Sequence, residues 1–119
     1  MLILIAHGSP RPAWRASVER LTETLQQDVG ADRVRLAYMD CTPPTLMDVA
    51  SEAIHGGCEE LRVLPLFLTG EGHVDRHIRP LVDEVRTAFP STLVDLLPPV
   101  GQHPLFRQML RQMVIQAAG

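Results

Sequence analysis

Residues 1–10, MLILIAHGSP, decide how the rest of the chain is read. Leu2 to Ala6 form a continuous apolar run, the pattern of a parallel strand covered on both faces. The run stops at His7, followed by Gly8 and Ser9. A strand ending this way either has a polar lip or exists to hold that imidazole. A second part of the chain that ends alike would decide between the two.

Working outward, Pro10 and Pro12 interrupt the chain. A helix fits Ala13 to Asp28, with Trp14, Val18, Leu21 and Leu25 on one stripe and Gly30 past its end. Residues 33–39, RVRLAYM, alternate as a strand. Thr45 caps a helix over Leu46, Val49, Ala50 and Ile54, and Gly56-Gly57 stops it. Residues 61–68, LRVLPLFL, form a third strand whose Pro65 makes its end bulge or leave the sheet. The loop TGEGH leads into a helix with Ile78, Leu81, Val82 and Val85 inward. Residues 92–97 are a fourth strand, PPVGQHP a loop, and 104–116 a last helix using Leu105, Met109 and Met113.

Strand and helix alternate four times, which predicts an α/β fold. The sheet is mostly parallel, with helices on both faces, in one small flavodoxin-like domain spanning residues 1–119. Right-handed crossovers favour the strand order 2-1-3-4. Ligands of such a sheet bind beyond the carboxyl ends of its strands, where the order reverses between strands 1 and 3.

Composition narrows the function classes. The chain has 119 residues, 45% of them hydrophobic, and a formal charge of −3, so a nucleic-acid partner with its demand for a basic face is not expected. All 11 basic residues are arginine. Cys41 and Cys58 are too few and too far apart for a zinc knuckle or redox pair, and they fit a reducing cytoplasm. The apolar start is too short for a signal-peptide core, and no stretch approaches the roughly 20 apolar residues of a membrane span.

The second histidine is at the end of strand 3. LTGEGHVDRH delivers His73 to the crevice that strand 1 supplies with His7, and Gly8 and Gly72 stand beside them. Glycines there let backbone and ligand approach closely. Strand 2 ends at Met39-Asp40, which puts a carboxylate next to strand 1. Two imidazoles and a carboxylate suit Fe, Co, Ni or Zn better than Mg or Ca.

Four segments in order carry a resemblance. LILIAHGSPRP is similar to the HGS opening of the class II tetrapyrrole chelatases, and VLPLFLTGEGHVDRHIRPLV to their second signature. LAYMDCTPPTL resembles the strand–acid–proline–helix segment between, and LLPPVGQHPLF the final PPLG-HP loop. The resemblance implies insertion of Co²⁺ or Fe²⁺, in one branch Ni²⁺, into sirohydrochlorin for cobalamin or siroheme. It implies His7 and His73 as metal ligands, with Asp40 standing one methylene shorter where some members have a glutamate. The chain departs from the family in HGSPRP, where HGSRDP is usual, and in His77-Ile78-Arg79, where a DIP-like run is usual. No cofactor is implied beyond the substrate metal, and a homodimer is.

The chemistry follows from these types. Insertion requires the ion to shed water and the macrocycle to lose two N–H protons. The histidines hold the ion with positions left open, and a histidine or Asp40 takes the protons as general base. Binding needs neutral imidazole, so activity should fall below about pH 6. Arg11, Arg76 and Arg79 flank the histidine loops and suit the carboxylates of sirohydrochlorin, or are solvated helix-start residues. Ser9 either bonds the ligand or caps the turn into the first helix, and Gly72 gives the ligand room. His103 reads as a helix-start residue and Cys41 as a small buried thiol. Only Trp14 among the aromatics lies just past the first loop, so two copies facing each other would close a macrocycle site. Two rivals stand. A histidine phosphatase also begins with a strand ending HG, but carries arginine where this chain has Ala6. A metal carrier would bind the ion with no macrocycle.

Overall fold

In a computed structural model the structure describes residues 1–68, 72 and 74–119. Among the described residues four strands form one parallel sheet in the order β2-β1-β3-β4. They are β1 Leu2–Ala6, β2 Val34–Tyr38, β3 Glu60–Pro65 and β4 Leu93–Leu96. The helices are α1 Pro12–Val29, α2 Leu46–His55, α3 Arg79–Ala88 and α4 Pro104–Ala118. A π-helical turn, Val74–Ile78, precedes α3, and a 3₁₀ turn, Val100–Gln102, precedes α4. The 2-1-3-4 order is the one the alternation predicts.

Register sorts the side chains. Ile3 pairs with Val63 and Leu61 with Val94, so these residues share a face with Ile5 and Ala37. That face packs on Leu46, Val49 and Ala50 of α2 and on Val82 and Val85 of α3, and all of these residues are buried. The buried run of β1 thus reads as it does because its second face, through Leu4, is covered by α1. Pro65 closes β3, where its missing N–H removes no ladder bond beyond Ile5, and the next amide, Leu66 N–H, donates to the Ile5 carbonyl at 2.9 Å. The strand therefore stops three residues before the position its apolar run suggests.

Local chemistry fixes the ends. Thr45 Oγ1 accepts from Asp48 N–H while the Asp48 carboxylate accepts from Thr45 N–H, a reciprocal cap on α2. Pro12, Pro80 and Pro104 sit in the first turns of α1, α3 and α4, where a missing N–H costs nothing. His103 starts α4 as expected, its Nδ1 accepting from Leu105 N–H at 3.1 Å.

Two expectations about packing are corrected. Trp14 and Leu21, expected on the inward stripe of α1, are 70% and 49% exposed, because the helix is rolled so that Arg15, Thr22 and Gln26 face the sheet. Leu105, Met109 and Met113, expected to pack α4 down, are likewise exposed, and no residue of α4 is buried among the described residues. The helix leaves the body of the molecule, whose longest extent is 51 Å against 28 Å in the other two directions. Cys41 is exposed, held at a positive φ of 65° in the loop after β2.

Candidate active site

The crevice forms where β1 and β2 end side by side. Met39 N–H donates to the Ala6 carbonyl at 2.9 Å, one step beyond the last ladder pair, Ala6 with Tyr38. The chains then diverge, and Asp40 turns back over the β1 loop. Its Oδ1 accepts from Gly8 N–H at 2.8 Å and its Oδ2 meets His7 Nδ1 at 3.2 Å. A carboxylate only accepts, so in the neutral ring Nδ1 carries the hydrogen and Nε2 is the nitrogen with a lone pair. Gly8 is required at its place, because a Cβ there would collide with the Asp40 backbone carbonyl. His7 and Asp40 are both roughly half exposed, His7 at 52% of its side chain and Asp40 at 41%, so the pair faces solvent from a fixed position.

Phe67 forms a wall of this site. Its ring centroid lies 5.1 Å from that of His7, with the planes tilted by 59°. The sequence reading singled out Trp14 as the aromatic near the loop and missed Phe67. The signal was present in the register: Ile5 pairs with Pro65, so Phe67 stands opposite His7 two steps on.

The structure brings His7 and Asp40 together. His73 and Glu71 lie outside the described residues, and among those described no three of His, Cys, Asp and Glu converge as a ligand set. Ser9 is buried; its Oγ accepts from Arg11 N–H at 3.1 Å and its carbonyl from Arg15 Nη1 at 2.6 Å, which makes it the brace of the turn into α1. Arg11 is exposed and stacks over Trp14 at 4.8 Å from the ring centroid. Gly72 and Arg76 are exposed. Arg79 donates to Asp75 at 3.1 Å, and both line a cleft of about 290 Å³ with Val74, Pro98, Pro99 and Gln102.

Behind the site, Tyr38 at the end of β2 is buried and donates its hydroxyl to Glu19 of α1 at 2.7 Å. Burial, helped by the neighbouring carboxylate, pushes its phenol up to about 12. The same hydrogen bond, with Arg15 beside it, holds Glu19 below the ordinary carboxylate value against some opposing burial. This pair ties α1 to the strand that carries Asp40.

A parallel 2-1-3-4 sheet with a strand-end histidine at its switch point places the chain among the chelatase-like α/β proteins. The CbiX protein of Marinobacter aquaeolei VT8 superposes with a TM-score of 0.84 at 26% identity, covering 99% of this chain and 93% of that one. The chain belongs to the CbiX family, whose model matches residues 1–117. The fold is also that of the sirohydrochlorin chelatase SirB of Bacillus subtilis subspecies spizizenii, solved with cobalt, at a TM-score of 0.78 and 18% identity over 94% of this chain and 48% of SirB. In sequence the chain is 29% identical over 77 residues to the sirohydrochlorin cobaltochelatase of Methanopyrus kandleri, 65% of this chain and 54% of that protein. The chain spans about half the length of the curated relatives it matches.

Proposed function

We propose that this chain inserts a divalent metal ion into sirohydrochlorin, with Co²⁺ the first candidate because the relatives matched in sequence are cobaltochelatases. The observation that carries the reading is His7, set at the switch point of a CbiX-family sheet with its Nδ1 committed to Asp40. In this reading Nε2 of His7 coordinates the incoming ion together with His73, and the ion is substrate. Asp40 fixes the tautomer and the ring plane, the support a metal-binding imidazole ordinarily has from a carboxylate. Asp40, a general-base candidate from its sequence position, is in this reading also the residue that positions His7, in keeping with its shorter side chain. The pyrrole protons then pass to a histidine at the crevice or to the exposed Asp40 carboxylate.

Arg11, Arg76 and Arg79 supply positive charge for the substrate's carboxylates, and Gly72 leaves room for the ring. Arg79 exchanges its Asp75 partner for substrate, a trade between two exposed carboxylates. Phe67 gives the macrocycle an apolar wall beside His7. Residues 1–119 act as one domain in this reading, and two copies share the substrate. The chain works in the cytoplasm, which the free thiols of Cys41 and Cys58 support; among the described residues no helix is long and apolar enough to cross a membrane.

The test is anaerobic incubation with sirohydrochlorin and Co²⁺, Fe²⁺ or Ni²⁺ in turn, followed by absorption. A metal-dependent spectral shift faster than the protein-free rate supports insertion. Metal binding with no acceleration leaves the carrier reading, and hydrolysis of a phosphate ester would favour the phosphatase.

A further inference from the structure

Arg15 is ill placed for the sake of its own helix. It stands close to the start of α1, where a cation opposes the helix dipole. It also precedes its partner Glu19 by four residues, the weaker order for an ion pair along a helix. A local cost of this kind is offset by a gain elsewhere. The gain lies outside the helix. Arg15 Nη1 donates to the Ser9 carbonyl at 2.6 Å while its Nε donates to Glu19 Oε1 at 3.1 Å. One planar fork thus fixes two points at once.

Glu19 Oε1 also accepts from the Tyr38 hydroxyl at 2.7 Å, so Arg15 and Tyr38 meet at one oxygen. Tyr38 ends β2, and Asp40 follows it by two residues. Tyr38 N–H donates to the Pro44 carbonyl at 2.8 Å, across the neck of the loop that carries Asp40. From Asp40 the contacts return to Gly8 N–H and His7 Nδ1. The bonds close a circuit that runs from His7 to Ser9, through Arg15, Glu19 and Tyr38, and back through Asp40 to His7.

The two sides of this circuit are unequal. The front, His7 with Asp40, is a 3.2 Å contact between half-exposed groups, and water competes for both. The back is better covered: Tyr38 is buried, and the Arg15 side chain is 20% exposed. The ladder between β1 and β2 has ended by Met39, so Asp40 keeps its distance from His7 only as well as the two loops are held. They are held from behind.

We propose that Arg15, Glu19 and Tyr38 are positioning residues for His7. They hold the loops after β1 and β2 at the separation that keeps the hydrogen of the neutral imidazole on Nδ1 and the lone pair on Nε2. The consequence for metal insertion rests on the function proposed above; the tautomer does not, and it is read without metal.

The test compares two ties between α1 and β2. Glu19→Ala and Tyr38→Phe break the tie at the carboxyl end of the strand. Gln26→Ala breaks the tie at its amino end, where Gln26 Nε2 donates to the Val34 carbonyl at 3.0 Å. Nitrogen-15 NMR of the histidine rings, with chelator present and at about pH 8 where imidazole is neutral, reads the tautomer. The His7 signal is assigned from the spectrum of His7→Gln. Wild type should hold the hydrogen on Nδ1. Glu19→Ala and Tyr38→Phe should shift His7 toward the Nε2–H form, and Gln26→Ala should leave it unchanged. Glu19→Gln keeps an oxygen that accepts both bonds and should restore the wild-type signal. Insertion should slow by up to about 10-fold in Glu19→Ala, the lower end of the range for groups behind a coordinating imidazole. In the Asp40→Asn background the same change should add less than about 2-fold, because the group it acts through is already lost.

A wild-type His7 with its hydrogen on Nε2 overturns the positioning. So does a His7 signal that stays put in both Glu19→Ala and Tyr38→Phe, that moves equally in Gln26→Ala, or losses that simply add. If Glu19→Ala unfolds by circular dichroism, Tyr38→Phe decides, since it keeps the buried ring. The expected tautomers with no insertion by the wild type overturn the chelatase reading and leave the positioning standing.

Discussion

The two faces of the sheet use the same kinds of side chain to different ends. On the α2–α3 face every strand contributes a buried residue, from Ile3 and Ala37 to Leu61 and Val94, and two helices of the same chain close it. On the α1 face burial stops halfway: Leu4, Val34 and Tyr38 are covered, while Leu93 is 68% exposed. Apolar content therefore does not report where stability resides. The helix with six exposed large apolar side chains, α4, is the element a hydrophobicity count would place inside. One face is closed by helices of the chain itself, and the other is closed only over β2 and β1 among the described residues.

The largest expected effect tests the closed face. Leu61→Ala should cost about 3 kcal/mol of unfolding free energy, the transfer and cavity terms of a fully buried leucine, measured by urea denaturation. Leu93→Ala in the neighbouring strand should stay within about 0.5 kcal/mol for the isolated chain. Equal costs at the two positions would break the comparison.

Next comes the crevice, which belongs to neither face because its residues leave the sheet at the strand ends. Asp40→Asn should slow metal insertion by about 10- to 100-fold, the usual penalty for losing a carboxylate behind a coordinating imidazole, with the fold intact. Loss equal to that of His7→Ala would make Asp40 a ligand or the essential base. An unaffected rate would remove it from the mechanism.

Smaller again is the link between α1 and β2. Tyr38→Phe should cost about 1–2 kcal/mol, since it takes one hydrogen bond from a charged partner and leaves a buried ring in place. The pH dependence of this link is the finest test. Glu19 has a lowered folded value, so its contribution is complete above the ordinary 4.5 and is lost as pH falls through the folded value. Tyr38 has a raised value, so its contribution is complete below 10.0 and is lost as pH rises from there through about 12. The urea midpoints of wild type and Tyr38→Phe should therefore be furthest apart at neutral pH and converge at both extremes.

The sheet order and the position of His7 were legible because they follow from periodicity and handedness, which act along the chain. The Thr45 cap and the His103 helix start were legible for the same local reason. Asp40 was placed correctly beside strand 1, yet its bond to His7 was not visible, because that depends on a loop folding back two residues past the strand. Phe67 was missed because an apolar residue after an apolar strand reads as more strand. The outward course of α4 was illegible on principle: apolar spacing along a helix marks which side chains share a side and is silent on whether the body of the chain lies against them. The expected second ligand, His73, lies outside the described residues.

The central position of β1 also sets a timetable. Its neighbours are β2 and β3, and β3 ends at Pro65, 59 residues after Ala6 (65 − 6). At a synthesis rate of about 5 to 20 residues per second, the LILIA strand waits about 3 to 12 seconds for its second partner. During that interval an apolar strand edge lacks its partner on a nascent chain, the situation in which parallel sheets are most prone to stick to their neighbours. The earliest made of the four described strands is thus the one whose pairing waits longest, so the yield of this folded domain should depend on chaperone capacity.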